Sequence, residues 1–210
     1  MMKQTKHLFV FLMLAGIVCG QATAQRRFDA SLFASPTFSQ IDGDGDGSYN
    51  RLGMRGGVGT SFFFGWDERT PWRMVVELAF TQKGSTVNAD GWQRRISLNY
   101  VELPVMMSYT MLANRLRIGA GVAPAILVGA KVLDNGVNNP AQEDNYRRFD
   151  RLPVLLSARY LFTDNLAVEA RFSTSLLSIT EQNATGTYRI FKDNKGAFNR
   201  TVSLGLAYCF

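Results

Sequence analysis

The sequence predicts an all-β fold, an eight-stranded antiparallel up-and-down transmembrane β-barrel, and three observations carry that expectation. After residue 25, eight segments alternate apolar residues with polar or small ones at period two, the pattern of strands rather than helices. Several keep this alternation for ten or more residues. Globular strands average about 5–6 residues, whereas a tilted strand crossing a bilayer needs about 9–11. The connections also alternate in length. Ile41–Asn50, Gly84–Arg94, Lys131–Phe149 and Ser178–Ala197 are long, and Gly65–Pro71, Thr110–Asn114 and Thr163–Asn165 are short. Tight turns on one side and longer loops on the other belong to a barrel in a bacterial outer membrane, with the short turns in the periplasm.

The chain begins with what reads as a secretory signal over residues 1–24, leaving a barrel domain over 25–210. Lys3 and Lys6 are its positive start, and Leu8–Val18 is an apolar run too short to span a bilayer as a helix. Ala22-Thr23-Ala24 is the small-residue cleavage site. A lipoprotein signal using Cys19 is disfavoured because Val18 sits where a small residue is wanted. Loss of Lys3 and Lys6 lowers the formal charge from +6 to +4. The remaining cations form no stripe for nucleic acid. Cys209 alone survives processing, so no internal disulfide is expected. Beyond the signal no apolar stretch is long enough for a membrane helix. A membrane-spanning fold must therefore be a closed barrel, which satisfies its backbone hydrogen bonds without helices.

Taken in order, the second strand, Arg51–Phe64, is rich in glycine, which relieves crowding or permits curvature. The third puts Trp72, Met74, Val76, Leu78 and Phe80 on one face, and Arg73, Val75, Glu77, Ala79, Thr81 and Lys83 on the other. The fourth begins with Ile96, Leu98 and Tyr100 as its apolar set and ends with Leu103, Val105, Met107 and Tyr109. A bulge near Val101–Pro104 would reconcile the two phases, since an inserted residue exchanges the faces, and Pro104 cannot donate to the ladder. The fifth carries Leu116, Ile118, Ala120, Val122, Pro124, Ile126 and Val128 against arginine, glycine and alanine. The seventh and eighth alternate in the same way, ending at Phe210. Lipid should meet the apolar faces, and the polar or small faces should line the lumen. Trp66, Trp72, Tyr109, Tyr160, Phe162, Tyr208 and Phe210 gather at the expected periplasmic rim, where rings with polar tips suit the membrane boundary.

The inward face carries mid-strand charge at Arg55, Glu77, Glu102, Arg117, Arg159, Glu169 and Arg171. An eight-stranded barrel is only wide enough inside for side chains. Opposite charges there are expected to pair, forming a plugged polar core rather than an open pore.

Asn99-Tyr100-Val101-Glu102-Leu103-Pro104-Val105-Met106-Met107, followed by Leu116-Arg117-Ile118-Gly119-Ala120-Gly121-Val122-Ala123-Pro124, resembles the Tyr-x-Glu-x-Pro strand and the glycine-rich strand after it in the PorT-like family of Bacteroidota outer-membrane β-barrels. The resemblance is sharp over about Tyr100–Gly129 and extends to the rest of the chain in layout. It implies a small outer-membrane barrel in which Tyr100, Glu102 and Pro104 serve structure rather than catalysis. The family takes its name from a component needed for protein secretion and gliding, so an accessory role in secretion is an expectation of the resemblance. Tyr208 and Phe210 look like the aromatic end that barrel-assembly machinery recognises.

Asp42-Gly43-Asp44-Gly45-Asp46-Gly47 resembles the start of an EF-hand loop, but Gly53 stands where the bidentate glutamate belongs and a strand follows. Asp42, Asp44 and Asp46 are therefore a weak Ca²⁺ candidate, and a flexible acidic loop is the simpler reading. The only histidine is His7, within the signal, which removes Ser-His chemistry. Glu77, Glu102 and Glu169 share their faces with arginines, so charge pairing explains them better than acid–base work. Asn183-Ala184-Thr185 matches a glycosylation pattern of little weight in a bacterial chain. Arg147 and Arg148 could meet acidic lipid headgroups. The expected protein is a monomeric, non-enzymatic outer-membrane barrel without cofactor, with periplasmic termini. Its partners would be membrane lipid, the assembly machinery and surface or secretion proteins, and not nucleic acid; a narrow passive pore is the remaining alternative.

Overall fold

A computed structural model of the chain describes residues 28–43, 48–64, 70–89, 91–180, 187–189 and 191–210. The expected signal, Asp44, Asp46, Trp66 and Asn183-Ala184-Thr185 lie outside the described residues.

The strands are β1 (Phe28–Asp42), β2 (Arg51–Phe63), β3 (Trp72–Ala89), β4 (Trp92–Glu102), β5 (Val105–Met111), β6 (Leu116–Val122), β7 (Ala125–Asp134), β8 (Val137–Asn138), β9 (Phe149–Asp150), β10 (Pro153–Leu161), β11 (Leu166–Ser175), β12 (Thr187–Arg189), β13 (Phe191–Gly196) and β14 (Phe198–Cys209). Twelve form one sheet, and β12 and β13 form a separate hairpin. The twelve make eight staves, because β4 continues as β5, β6 as β7 and β9 as β10, while β8 only pairs back on β7. Every pairing is antiparallel. β1 pairs with β2 on one side and with β14 on the other, which closes the ring and leaves the barrel no free edge.

Proline explains the three broken staves. Pro104, Pro124 and Pro153 lie at the breaks of neighbouring staves, and none can donate to a ladder. Their carbonyls still accept: Glu77 N–H donates to Pro104 at 2.9 Å, Leu103 to Pro124 at 2.9 Å and Ala123 to Pro153 at 2.9 Å. The sheet is thus continuous through a diagonal row of prolines.

The faces divide as membrane physics requires. Leu32, Leu78, Ile118, Leu156, Leu204 and Leu206 are exposed on the outside. Arg55, Glu77, Thr81, Glu102, Arg159, Glu169 and Arg171 are buried inside. Aromatic rings crowd one rim, where Trp72 and Tyr109 meet edge-on with centroids 5.0 Å apart, as do Tyr208 and Phe210 at 5.0 Å. Both ends of the described barrel, Phe28 and Phe210, lie there, and Phe210 N–H donates to Ala30 at 2.9 Å. The two turns described in full at this rim are tight. Leu112, Ala113 and Asn114 follow one another at φ of 52°, 52° and 68°. Asn165 clasps the last strand, with Cys209 N–H donating to its carbonyl at 2.7 Å and its Nδ2 donating to the Cys209 carbonyl at 2.8 Å.

Two expectations are corrected. Gly84–Arg94 is not a long loop: β3 runs to Ala89 and β4 starts at Trp92, so the staves project as a hairpin with ladder pairs up to Ala89↔Trp92. Lys131–Phe149 likewise holds the end of β7, the short β8, a helical turn at Pro140–Glu143 and β9. The second correction concerns the fourth stave, whose faces do not exchange at Val101–Pro104. Even-numbered residues from Ile96 to Thr110 are all buried, without a change of phase. The irregularity lies between Asn99 and Tyr100, opposite which Val128 is the extra residue on β7.

What changes along the fourth stave is the solvent. Through the bilayer the outside is apolar and the inside polar. Above it the outside meets water, so the apolar residues turn inward as in any water-soluble core. Ile41, Ile96, Leu98, Tyr100, Val132 and Ile179 form this upper cluster, joined by Leu127, Ala130 and Tyr146. Leu98 and Tyr100 have no exposed surface.

Candidate functional site: a filled lumen

The centre of the lumen is a knot of two carboxylates and three guanidinium groups. Arg55 comes from β2, Glu77 from β3, Arg159 from β10, and Glu169 and Arg171 from β11. In a ring of eight staves β2 stands opposite β10 and β3 opposite β11, so these side chains brace the barrel across its axis. Arg55 Nη2 lies 2.6 Å from Glu77 Oε2, and Arg171 Nη2 lies 2.9 Å from the same oxygen. Arg159 Nη2 is 3.3 Å from Glu77 Oε1, and Arg159 Nε donates to Glu169 Oε2 at 2.8 Å. Glu169 Oε1 is 3.4 Å from Arg55 Nη1 and 3.1 Å from Arg171 Nη2. Each glutamate thus meets all three arginines. Charge-assisted, multiply bonded pairs of this kind are geometrically specific. The Arg55 guanidinium also lies 4.1 Å over the Phe33 ring. Gly57 makes room for that ring, because a Cβ there would approach Phe33 Cζ to 2.8 Å and the Leu78 carbonyl oxygen to 2.1 Å.

The other two expected charges stand apart. Glu102 is paired higher in the barrel, with Lys83 Nζ 2.7 Å from Oε1 and Thr81 Oγ1 donating to Oε2 at 2.9 Å. Arg117 lies at the periplasmic end, where its Nη2 is 3.2 Å from Asp29 Oδ2, a carboxylate that Arg73 also binds. Lys83, Asp29 and Arg73 complete these pairs and were not among the expected site residues, although the period-two pattern had already put Arg73 and Lys83 on the inward face. Asp150 was missed as well. It accepts from Ser175, and from Asn199 Nδ2 at 3.4 Å.

Tyr100, Glu102 and Pro104 serve one junction. The Tyr100 hydroxyl accepts from Asn199 Nδ2 at 3.3 Å, its ring lies 5.2 Å from Lys83 Nζ, and Lys83 holds Glu102. Pro104 then accepts from the backbone of Glu77, the centre of the knot. Of the acidic triplet, Asp42 is described, and its Oδ2 lies 3.1 Å from Arg200 Nη2. Among the described residues no three histidine, cysteine or carboxylate side chains converge as a metal site.

Small cavities lie between these groups, two of them lined by described residues. One, of about 10 Å³, is lined by residues including Arg55, Thr81, Glu102 and Arg171. The other, of about 20 Å³, is lined by residues including Val75, Met106, Arg117 and Arg159. Each has room for roughly one water molecule.

A closed antiparallel ring, lipid-facing apolar staves, an aromatic rim and a polar filled interior define an outer-membrane β-barrel. The chain belongs to the outer membrane protein beta-barrel domain family, whose model matches residues 19–181. Similar solved structures include Ail, the attachment invasion locus protein of Yersinia pestis, at 15% identity over 88% of this chain and 99% of that one, TM-score 0.49. Ail has also been solved with the heparin analogue sucrose octasulfate, at 12% identity over 88% and 99% of the two chains, TM-score 0.47. Neisserial surface protein A matches at 13% identity over 87% and 97%, TM-score 0.49. No curated protein matches the chain in sequence.

Proposed function

We propose that this protein is a rigid, monomeric, non-enzymatic scaffold of the outer membrane, whose external end supports interaction or envelope integrity and whose lumen does not conduct. The observation that carries this reading is the central knot, in which Glu77 and Glu169 each meet Arg55, Arg159 and Arg171 across the axis. Such a brace holds the staves at fixed spacing, and the two voids described beside it are water-sized. Lys83 with Glu102, and Arg117 with Asp29, extend the filling toward both ends. Tyr100, Glu102 and Pro104 fit a structural role, since their partners are other lumen groups and the ladder. Tyr208 and Phe210, exposed at the end of the last strand, fit recognition by the barrel-assembly machinery. The external hairpins, built on a packed core, suit a binding platform, as rigidly mounted loops commonly do.

The second reading, an accessory part of a secretion machine, draws on the resemblance of Tyr100–Gly129 to PorT-like barrels. The extracellular and surface proteome of a strain lacking the gene separates the two. The scaffold reading expects secreted cargo unchanged and an envelope more sensitive to detergent. Cargo stranded in the periplasm would replace it with the secretion reading.

A further inference from the structure

The outward face of β3, β4 and β7 changes character along a sharp line. Below it stand Leu78, Phe80, Val101, Leu103 and Ile126, all exposed and apolar. Above it, on the same staves, stand Gln82, Asn99, Ser97 and Lys131. Period two, with the extra residue Val128 on β7, keeps each set on the outside, so this line is where hydrocarbon gives way to headgroups.

Three cations meet there around Ser97. Lys131 is the ladder partner of Ser97. Arg95 is two residues further along the same outward face, and its side chain is exposed. Arg51, at the start of β2, reaches across and donates from Nη2 to Ser97 Oγ at 2.7 Å. Its path crosses Gly84, where a Cβ would stand 3.3 Å from Arg51 Cγ and 2.0 Å from the Ile96 carbonyl oxygen. Glycine at position 84 therefore opens the route.

No described carboxylate forms an ion pair with any of the three. Two other cations at this end are matched, Arg94 by Asp134 at 2.7 Å and Arg200 by Asp42 at 3.1 Å. Like charges brought close together without a carboxylate are stabilised by an anion. At this height the anion available is a headgroup phosphate, and a lipid's acyl chains would lie on the apolar staves directly below.

We propose that Arg51, Arg95 and Lys131, gathered around Ser97 just above the apolar belt, bind the phosphate groups of an outer-leaflet lipid. The site is on the outer wall and is separate from the lumen.

The test uses the full mature protein in phosphatidylcholine nanodiscs doped with diphosphoryl lipid A, with retained lipid counted by native mass spectrometry. Each basic residue near a charged membrane surface contributes about a fivefold factor in binding. R95Q/K131Q should therefore reduce retention by roughly 25-fold. R115Q, which removes an exposed cation at the opposite rim, should retain as much as wild type. Fully dephosphorylated lipid A should be held as weakly by wild type as by the double variant, and inositol hexakisphosphate should not displace the lipid. Heat-dependent gel migration checks that each variant folds, and R95Q alone, at an exposed position, carries the test if the double variant does not. Retention by the folded variant equal to wild type would overturn the proposal. So would inositol hexakisphosphate binding as tightly as lipid A, since the site would then read a soluble polyanion.

Discussion

Glu77 lies within 3.3 Å of a nitrogen from each of three arginines and has no exposed side-chain surface. Removing one partner of a buried ion cluster leaves uncompensated charge and typically costs about 3–5 kcal/mol. Glu77→Ala should lower unfolding stability by about that amount in urea titrations followed by tryptophan fluorescence, whereas a loss under about 1 kcal/mol would mean that the knot does not brace the barrel. A milder effect belongs to Asp134, which lies outside the bilayer at the end of β7. Hydrogen bonds from Arg94 and then Asn139 hold its carboxyl below the ordinary aspartate value. A depressed folded pKa means the stabilisation is complete above the unfolded value of about 3.9. It is lost as pH falls through the lower folded value. Amide exchange in the β7–β8 hairpin should therefore speed up relative to the barrel wall below about pH 4, and Asp134→Asn should abolish that difference. Period two was enough to show which charges face inward. It did not show which would pair: Glu102 meets Lys83 on the neighbouring stave, and Arg117 meets Asp29 near the beginning of β1, because ladder register and barrel curvature decide those distances.

Ile96, Leu98 and Tyr100 were visible in the sequence as an apolar set out of phase with Leu103, Val105, Met107 and Tyr109. A bulge is the usual reason for such a change, yet the backbone keeps its phase from Ile96 to Thr110. The reversal belongs to the surroundings, since lipid selects apolar residues outside and water selects them inside. The same reasoning explains why Gly84–Arg94 looked like a loop. A strand in water outside the membrane carries polar residues on its outer face, and Thr86, Asn88 and Gln93 mask its pairing. Spin labels scanned along the outward face of the fourth stave should therefore change behaviour once. Labels at positions 95 and 97 should be relaxed by a water-soluble nickel complex, and labels at 101, 103 and 105 by oxygen. Oxygen-type relaxation continuing to position 95 would place the membrane boundary higher and remove the case for a water-facing upper core. The helical turn at Pro140–Glu143 had no comparable signal. Asn135-Gly136, with φ of 48° and 82°, is the hairpin dipeptide that could have located β8.

Closure gives the whole molecule its properties. Eight staves leave an interior of side-chain width, and here ion pairs, a stacked Phe33 and an upper apolar cluster occupy it from end to end. Fold class and membrane placement were legible because strand length, loop asymmetry and the aromatic rim all derive from one solvent, the bilayer. The row of Pro104, Pro124 and Pro153 that divides three staves could be seen as residues but not as a row, because only the ladder sets them side by side. A closed barrel of this kind should migrate faster on SDS gels before boiling than after, and equal migration would argue against closure. The most direct test of the filled lumen is single-channel recording of the purified protein in planar bilayers, beside the Glu77→Ala variant. A silent wild type, and a variant that opens small fluctuating currents as the knot loosens, is the predicted result. A steady open conductance in the wild type would contradict it.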